Sequence, residues 1–580
     1  FAGYGAGLHI GGSSVVALGA YAGYYTTGSS NTFVGKQAGY GGTTSAPYSS
    51  GEKNVAVGLE ALKDFTTGND NTALGYLAAH NFTVAGHNTA LGSEALASED
   101  VGDFTVAIGY RTGYYQNSNS DNEDTGITLV GTGAGFYNVT GINNTLIGRQ
   151  AGLGASGNSH NNNTAVGYRS MYGIGTGGNN VAMGSSAMYG GVGASNQVAI
   201  GTEALYSATS GLGNVAVGHR AAKAFGNAEN ENIAIGYHTM YLMDEGSGAN
   251  VDENIAIGSY AMQGKDLGSA STDITRNIAI GKEALQLSNA EAASDNIAMG
   301  YRALKAVTSG TDNIAMGSEA GDAITTGTYN IGMGENALSS VNTGGSNIGI
   351  GRLAGANNTT ANSNMYIGYA AGYANQTGTY NTIVGNYSVS QTTGVVNFSA
   401  VTTLGWEAGY YATGSYNTFI GAEAGKGNSS APLSSGQNNT AVGYSALKNF
   451  TTGQLNTVIG YNAGDAITTS NYNTLVGANA GSSITTQQYN TLVGSYCGFG
   501  INGGDGQNTA LGREALYYGG SSANNIAIGQ LALYGASGTN NATANVAIGN
   551  SALQNTSTGD FNVAIGFKAG EKNNSSQNIF

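Results

Sequence analysis

The chain has 580 residues, of which 97 are glycine and only 9% are charged, and its formal net charge is −15. This acidity argues against a nucleic-acid partner, because phosphate binding needs clustered Lys and Arg. No apolar run approaches the roughly 20 residues that span a membrane, and the single cysteine excludes an intrachain disulfide framework. We therefore expect neither nucleic-acid binding nor a membrane span within this sequence.

A short phrase recurs along the whole chain. It reads Asn-Thr-Ala-Leu-Gly at 71–75, Asn-Val-Ala-Val-Gly at 214–218 and Asn-Val-Ala-Ile-Gly at 562–566. Its final glycine, called the coil glycine below, occurs 31 times between Gly19 and Gly566, most often 17 residues apart. Repeats this short build solenoids, in which each coil buries its apolar side against its neighbours. The sequence predicts an all-β, parallel β-solenoid of about 31 coils.

Each predicted coil begins with a short strand. The residue before the coil glycine is Val, Ile, Leu or Met in all 31 copies, and Ala stands two residues before the glycine in 19 of them. This alternation has the period of a β-strand, with branched side chains on one face and small ones on the other. The Ala row either forms a close contact between chains or packs against a second wall of the same coil.

The coil glycines are predicted to allow a bend or a close approach of two backbones. The third residue after the glycine is Ala in 26 copies and small in the others, including Cys497, which predicts a tight site inside the coil. The coil glycines of the best copies are Gly75, Gly92, Gly218, Gly236, Gly460, Gly477 and Gly494.

Asn opens the phrase in 26 copies. Stacked coils would place these amides in a ladder, where each side chain donates to one neighbour and accepts from another. We predict this structural role for Asn71, Asn88, Asn214, Asn232, Asn254, Asn456, Asn473 and Asn490.

Charged residues recur two positions after the coil glycine. On adjacent coils this stacks Glu94 with Arg111, Glu203 with Arg220, and Glu283 with Arg302 and then Glu319. Residues one strand spacing apart can form ion pairs, so the pattern predicts an inter-coil charge ladder. No pair of acids marks a catalytic cleft, and we expect no enzyme activity and no cofactor. The acidic loops at 121–124 and at 244–253 lack the spacing of an EF-hand, which favours solvated loops over calcium sites.

The predicted array is one continuous solenoid over residues 1–580 with an internal duplication. Residues around 19–110 and 405–495 are near-duplicate blocks, and the two prolines, Pro47 and Pro432, fall in equivalent loops. Both ends interrupt a repeat, so we expect a piece cut from a longer chain.

Tyrosine is abundant, with 36 copies, and often follows the coil glycine directly, as at Tyr76, Tyr110 and Tyr461. Exposed tyrosines suit the binding of surface glycans or matrix proteins, because the ring is amphipathic and loses little entropy on binding. At a chain interface the same rows would hold an assembly together.

The phrase Asn-(Ser/Thr/Val/Ile)-Ala-Ile-Gly-x-x-Ala resembles the head repeat of trimeric autotransporter adhesins, the YadA-like heads. It is clearest at 232–236, 254–258 and 545–549, and similar phrases occur in phage tail fibres. The resemblance covers nearly the whole chain. It implies a left-handed parallel β-roll, three chains to a head, and attachment to host matrix or surfaces.

These patterns together predict an extracellular or cell-surface fibre that presents loops and outward side chains for multivalent attachment, with itself as its first partner. Two alternatives stay open: a self-assembling extracellular filament or sheath subunit, and the shaft of a phage tail fibre on a virion surface. A homotrimer, a single-chain solenoid and a filament subunit are all compatible with the repeats.

Overall fold

The computed structural model is a parallel β-solenoid, and its described residues contain no helix. The description covers residues 1–42, 45, 47–120, 123–227, 229–243, 250–264, 273–287, 292–390, 396–429, 433–536 and 541–580. The chain forms two compact units, residues 1–296 and 297–580. In both units a three-residue strand recurs once per coil, so the all-β solenoid with coils of about 17 residues is confirmed.

The strands of the first unit form one main sheet and one small two-stranded sheet. They are β1 Val16–Leu18, β2 Thr32–Val34, β3 Val55–Val57, β4 Thr72–Leu74, β5 Thr89–Leu91, β6 Val106–Ile108, β7 Thr128–Val130, β8 Thr145–Ile147, β9 Thr164–Val166, β10 Val181–Met183, β11 Val198–Ile200, β12 Val215–Val217, β13 Ile233–Ile235, β14 Val251–Asp252, β15 Ile255–Ile257, β16 Ile274–Thr275 and β17 Ile278–Ile280. β14 pairs with β16, while β13, β15 and β17 continue the main sheet.

In the second unit every strand pairs with the next strand in the chain. The strands are β18 Ile297–Met299, β19 Ile314–Met316, β20 Ile331–Met333, β21 Ile348–Ile350, β22 Met365–Ile367, β23 Thr382–Val384, β24 Thr402–Leu404, β25 Thr418–Ile420, β26 Thr440–Val442, β27 Thr457–Ile459, β28 Thr474–Val476, β29 Thr491–Val493, β30 Thr509–Leu511, β31 Ile526–Ile528, β32 Val546–Ile548 and β33 Val563–Ile565.

Neighbouring strands are parallel and in register, so equivalent residues stack on one another. In β4 and β5, for example, Thr72 lies beside Thr89, Ala73 beside Ala90 and Leu74 beside Leu91. A parallel register of identical repeats therefore converts each sequence position into a continuous row of side chains.

The central residue of each strand points into the coil. Ala73, Ala90 and Ala182 have no exposed surface, whereas the residues on either side of them are half-buried or exposed. The alternation is confirmed, and it decides the place of the Ala row: these side chains pack against the second wall of their own coil. An Ala row on the outer face, as a contact between chains, is wrong, because a parallel strand turns its first and third residues to the opposite side.

The interior of a coil is completed by two further rows. The third residue after the coil glycine is fully buried, as at Ala78 and Ala95, and so is the fourth when it is apolar, as at Leu62 and Leu96. Cys497 lies in the first of these rows with no exposed surface, as its small size predicts. It packs like the alanines of the same row, and burial raises the pKa of its thiol to about 12, so the thiol stays protonated.

The coil glycines lie where successive backbones come closest. Gly75 has a φ of 145°, and a Cβ built on it would overlap the carbonyl oxygen of Gly92 in the next coil. Gly92, Gly218, Gly460, Gly477 and Gly494 meet the following coil glycine in the same way, and a Cβ on Gly236 would lie 2.6 Å from Thr239 Oγ1 and 2.7 Å from Gly258 O. The bend and the close approach both require glycine.

Candidate functional surfaces

A ladder of buried asparagines runs along the coils. Asn88 donates its backbone N–H to Asn71 Oδ1 at 3.0 Å, and Asn71 Nδ2 donates to Ala85 O at 2.7 Å and to Asn54 Oδ1 at 3.1 Å. Asn214, Asn232 and Asn254 continue the pattern in the first unit. Asn456, Asn473 and Asn490 do so in the second. All eight predicted members are at most 1% exposed, so the ladder satisfies polar groups inside the coil and leaves none of these amides for a ligand.

Two departures show what the ladder needs. Gln197 stands in an Asn position and still accepts from Asn214 N through Oε1 at 3.2 Å, while its own N–H donates to Asn180 Oδ1. Thr105 donates its backbone N–H to Asn88 Oδ1, but its hydroxyl bonds to the hydroxyl of Thr125. A carboxamide therefore continues the ladder, whereas a hydroxyl ends it.

Three of the predicted charge pairs form on the surface of the coils. Arg111 Nε lies 2.7 Å from Glu94 Oε2, and Arg220 Nε lies 2.8 Å from Glu203 Oε2. In the second unit Arg302 and Glu319 approach to 3.9 Å. Glu283 belongs to the first unit, where Lys282 Nζ lies 3.7 Å from its carboxylate. Because most of the cations are exposed, each pair contributes only about 0.2–1 kcal/mol.

A tighter charged cluster surrounds Glu423. Lys426 and Lys448 bind its two carboxylate oxygens at 2.8 and 2.7 Å, and Ser445 donates at 3.1 Å. Burial alone would raise the pKa of Glu423, but these hydrogen bonds lower it to about 2. Lys426 also reaches Glu407 Oε2 at 2.5 Å. The positions of these lysines relative to the acids were not predicted, because they lie three residues further along each coil.

The acidic loops fall partly outside the described residues, which exclude 121–122 and 244–249. Of the residues that are described, Asp252 Oδ1 accepts from Asn230 N at 2.7 Å and Glu123 Oε2 from Asn119 N at 3.2 Å. Across the described chain no group of three or more His, Cys, Asp or Glu is placed to hold a metal ion.

The outward face of the strands carries Val, Ile, Leu or Met at the third position of every coil, whereas the first position is Thr in 14 of the 31 coils and apolar in the others. The most exposed apolar side chains of this face occupy the first or third strand position and are 36–62% exposed. In the first unit they are Val16, Leu18, Val55, Leu74, Ile108, Ile147, Met183, Ile200, Ile235 and Ile257, and in the second Met316, Met333, Ile350, Leu404, Ile459, Leu511, Ile526 and Ile565. We call this surface the apolar strand face. Parallel sheets are ordinarily covered on both sides.

Aromatic side chains form rows on a different part of the coil. Tyr172, Tyr189 and Tyr206, each five residues after a coil glycine, stack at 4.8 and 4.9 Å between centroids with their planes within 7°. In the second unit Tyr472 and Tyr489, each next to a ladder asparagine, stack at 5.1 Å. Tyrosines directly after the coil glycine are exposed, with Tyr76 at 47% and Tyr461 at 54%. Sequence reasoning singled out only this last row, although the other two recur at equally fixed positions.

No protein-family model and no curated protein matches the chain. In the described part of the structure there is also no helix that is long and apolar enough to cross a membrane.

Proposed function

We propose that this protein is an extracellular structural and adhesive fibre segment, in which three copies assemble as left-handed β-rolls and display their remaining side chains to a surface. The proposal rests above all on the apolar strand face. It agrees with what the resemblance to YadA-like adhesin heads implies, and it places the chain on a cell or virion surface.

The apolar strand face favours copies of the same chain as its occupant. Its rows repeat once per coil, at roughly the 4.8 Å strand spacing, so another copy carries rows of the same pitch and chemistry. Large exposed apolar patches on soluble proteins commonly mark interaction sites. Homo-oligomers with closed symmetry are the most common way to cover such a surface.

The adhesive part of the proposal rests on the remaining faces. Exposed tyrosines and loops recur from coil to coil, so weak individual contacts would be multiplied by avidity. A self-assembling filament is the second candidate, and the stacked rows such as Tyr172, Tyr189 and Tyr206 favour it, since aromatic rows can join two solenoids side by side.

Light scattering on the purified chain tests both candidates. We expect a discrete particle of three chains. Replacing Ile200, Ile235 and Ile257 together by Thr, a β-former that occupies the first strand position in many coils, should reduce the particle to one chain. The matched control replaces Tyr172, Tyr189 and Tyr206 by Thr and should leave three. If the wild-type chain is a monomer, self-assembly is refuted. If it forms long polymers that only the tyrosine variant loses, the filament is the correct candidate rather than the trimeric fibre.

Adhesion is tested separately, on the same preparations. Biosensor surfaces carrying collagen, fibronectin or cell-surface glycans should retain the wild-type chain more strongly than the dispersed isoleucine variant, because avidity falls with the number of linked copies. If no surface retains the wild-type chain while it is a trimer, the adhesive role is wrong and a purely structural one is left.

A further inference from the structure

The second residue after the coil glycine, the position that holds the charged pairs, is a glycine in one coil. The second residue after the coil glycine differs among the 31 copies, but only Gly133 is a glycine. Arg111 occupies this slot in the preceding coil and Gln150 in the next. Gly133 therefore leaves a gap one coil wide between two long polar side chains.

The backbone does not require this glycine. Gly133 has a φ of 65°, and Arg111 and Gln150 adopt nearly the same conformation at 53° and 60°. A Cβ built on Gly133 would find no atom closer than Leu153 Cδ1 at 3.8 Å and Gln150 Cγ at 3.9 Å. The coil glycine Gly131 is different, because its Cβ would lie 2.5 Å from Gly148 O. Space, rather than backbone geometry, distinguishes Gly133.

The gap opens a surface notch with a volume of about 290 Å³. Thr132 and Gly133 form its floor, with Tyr110 and Arg111 on one side and Arg149 and Gln150 on the other; Phe136, Tyr137 and Leu153 line the rest. This volume is at the lower end of the range for small-molecule sites, roughly 300–1,000 Å³. A notch of this size suits one terminal group of a ligand.

An aromatic array ends in the notch. Tyr114 stacks on Phe136 at 5.4 Å and Tyr115 on Tyr137 at 5.5 Å, with planes within 16°. In the next coil the corresponding residues are Leu153 and Gly154, so among the described residues no ring covers the far faces of Phe136 and Tyr137. Two rings fixed from one side therefore offer a rigid apolar platform.

Cations frame the same notch in an acidic chain. Arg111 is held by its bond to Glu94 and lies 5.2 Å from the Tyr110 ring centre. Arg149 is exposed, and its guanidinium carbon lies 5.9 Å from the ring centre of Tyr168 in the next coil. A guanidinium binds a carboxylate through two parallel hydrogen bonds, so the notch combines an anion donor set with an aromatic platform.

We propose that this notch binds the carboxylate-bearing terminal residue of an acidic saccharide. The carboxylate pairs with Arg149 and Arg111, and the apolar face of the sugar ring packs on Phe136 and Tyr137. Thr132 and the side-chain N–H of Gln150, whose Oε1 already accepts from Arg169 Nε at 2.9 Å, bind hydroxyl groups. Sialic acids and uronic acids share this chemistry. The inference rests on the proposed adhesive function and specifies its ligand class.

Titration calorimetry with sialyllactose, a hyaluronan tetrasaccharide and neutral lactose tests the proposal on the full chain. We expect at least one acidic probe to bind at least tenfold more tightly than lactose, and its binding to weaken as salt is added. Whichever acidic probe binds better identifies the sugar class. If neither exceeds lactose, the proposal is wrong.

The decisive variant is Gly133→Gln, which restores the side chain present in the next coil and should lower affinity at least tenfold. Ser186→Gln places the same side chain in the same slot outside the notch and should change nothing. Arg149→Gln, at an exposed position, should weaken binding at least fivefold. Wild-type affinity in both notch variants would overturn the proposal. Light scattering on the same samples shows whether the chain still forms its three-chain particle. A loss of saccharide binding in an intact particle therefore concerns the notch and not self-assembly.

Discussion

Tyr366 and Gly372 occupy complementary places in one coil. Tyr366 is the central residue of its strand and is fully buried, and a Cβ built on Gly372 would overlap its ring. Gly355, in the preceding coil, faces the other edge of the same ring. In ten of the 31 coils these two slots hold a small residue and a Leu instead, as with Ala90 and Leu96. A large side chain in one slot is therefore matched by a small one in the other.

This matching predicts strong coupling between the two slots. Gly372→Leu alone should destabilise the second unit by about 3 kcal/mol or more, through overpacking at a well-packed site, and Tyr366→Ala alone by about 3–5 kcal/mol. The double variant should recover at least half of the summed loss, because it recreates the Ala–Leu arrangement. Urea denaturation of the four proteins measures the coupling, and simple additivity would contradict it.

The asparagine ladder predicts a large effect at Asn473. Asn473→Ala removes the bonds to Asn456 Oδ1 and from Asn490 N, both 3.0 Å long, and leaves buried polar groups without partners. The cost should be about 2–4 kcal/mol. Asn473→Gln should cost less than half as much, since Gln197 continues the ladder at its own position. Amide hydrogen exchange at residue 490 reports the local loss, and equal exchange in both variants would argue against the ladder.

His160 predicts acid sensitivity in the first unit. It is 1% exposed, and burial lowers its pKa from 6.5 to about 4. As the pH falls from 6.5 towards 4, the unfolded chain gains a proton that the folded chain does not, so stability falls by up to about 3 kcal/mol. His160→Gln, which copies Gln487 in the equivalent slot, should remove this slope. Urea midpoints at pH 7 and pH 4.5 test it; an unchanged slope would exclude His160 as its source.

Glu423 predicts a second loss of stability at lower pH. Its pKa is 4.5 in the unfolded chain and about 2 in the fold, so its contribution is complete above pH 4.5 and disappears as the pH falls towards 2. Glu423→Gln should cost about 1–3 kcal/mol at pH 7 and flatten this window. Glu335→Gln, which breaks a half-exposed pair with Arg352, should cost less than about 1 kcal/mol. Equal costs for the two variants would contradict the role of burial.

Residues other than glycine that adopt a left-handed backbone conformation are positions where a substitution should change stability. Leu455 and Asn438 both precede a ladder asparagine, with φ of 57° and 56°. Asn tolerates this conformation better than Leu does. Leu455→Asn should therefore stabilise the second unit by about 0.5–1 kcal/mol, and Asn438→Leu should destabilise it by a similar amount. Thermal denaturation tests both, and shifts of the same sign would refute the explanation.

The repeats alone determined the solenoid, its strands and the stacking of equivalent residues, because a fixed period combined with an alternating strand pattern permits few other folds. The close approach at Gly75 and the partners of Asn71 followed from the same periodicity. Left-handed slots such as Leu455 were not predictable in this way, since nothing in Leu marks a positive φ. The lysines around Glu423 were missed because they lie three residues further along each coil than the row of charged residues that the repeats align.

Only the tertiary structure decided which side of the strand is inside. A period of two assigns Ala73 and Leu74 to opposite faces, and the usual burial of large apolar residues would have placed Leu74 in the core. The coil interior is too narrow for a large side chain on every wall. Ala73 therefore lies inside and Leu74 remains 45% exposed, and the face that the proposed assembly would cover is the one with the larger side chains.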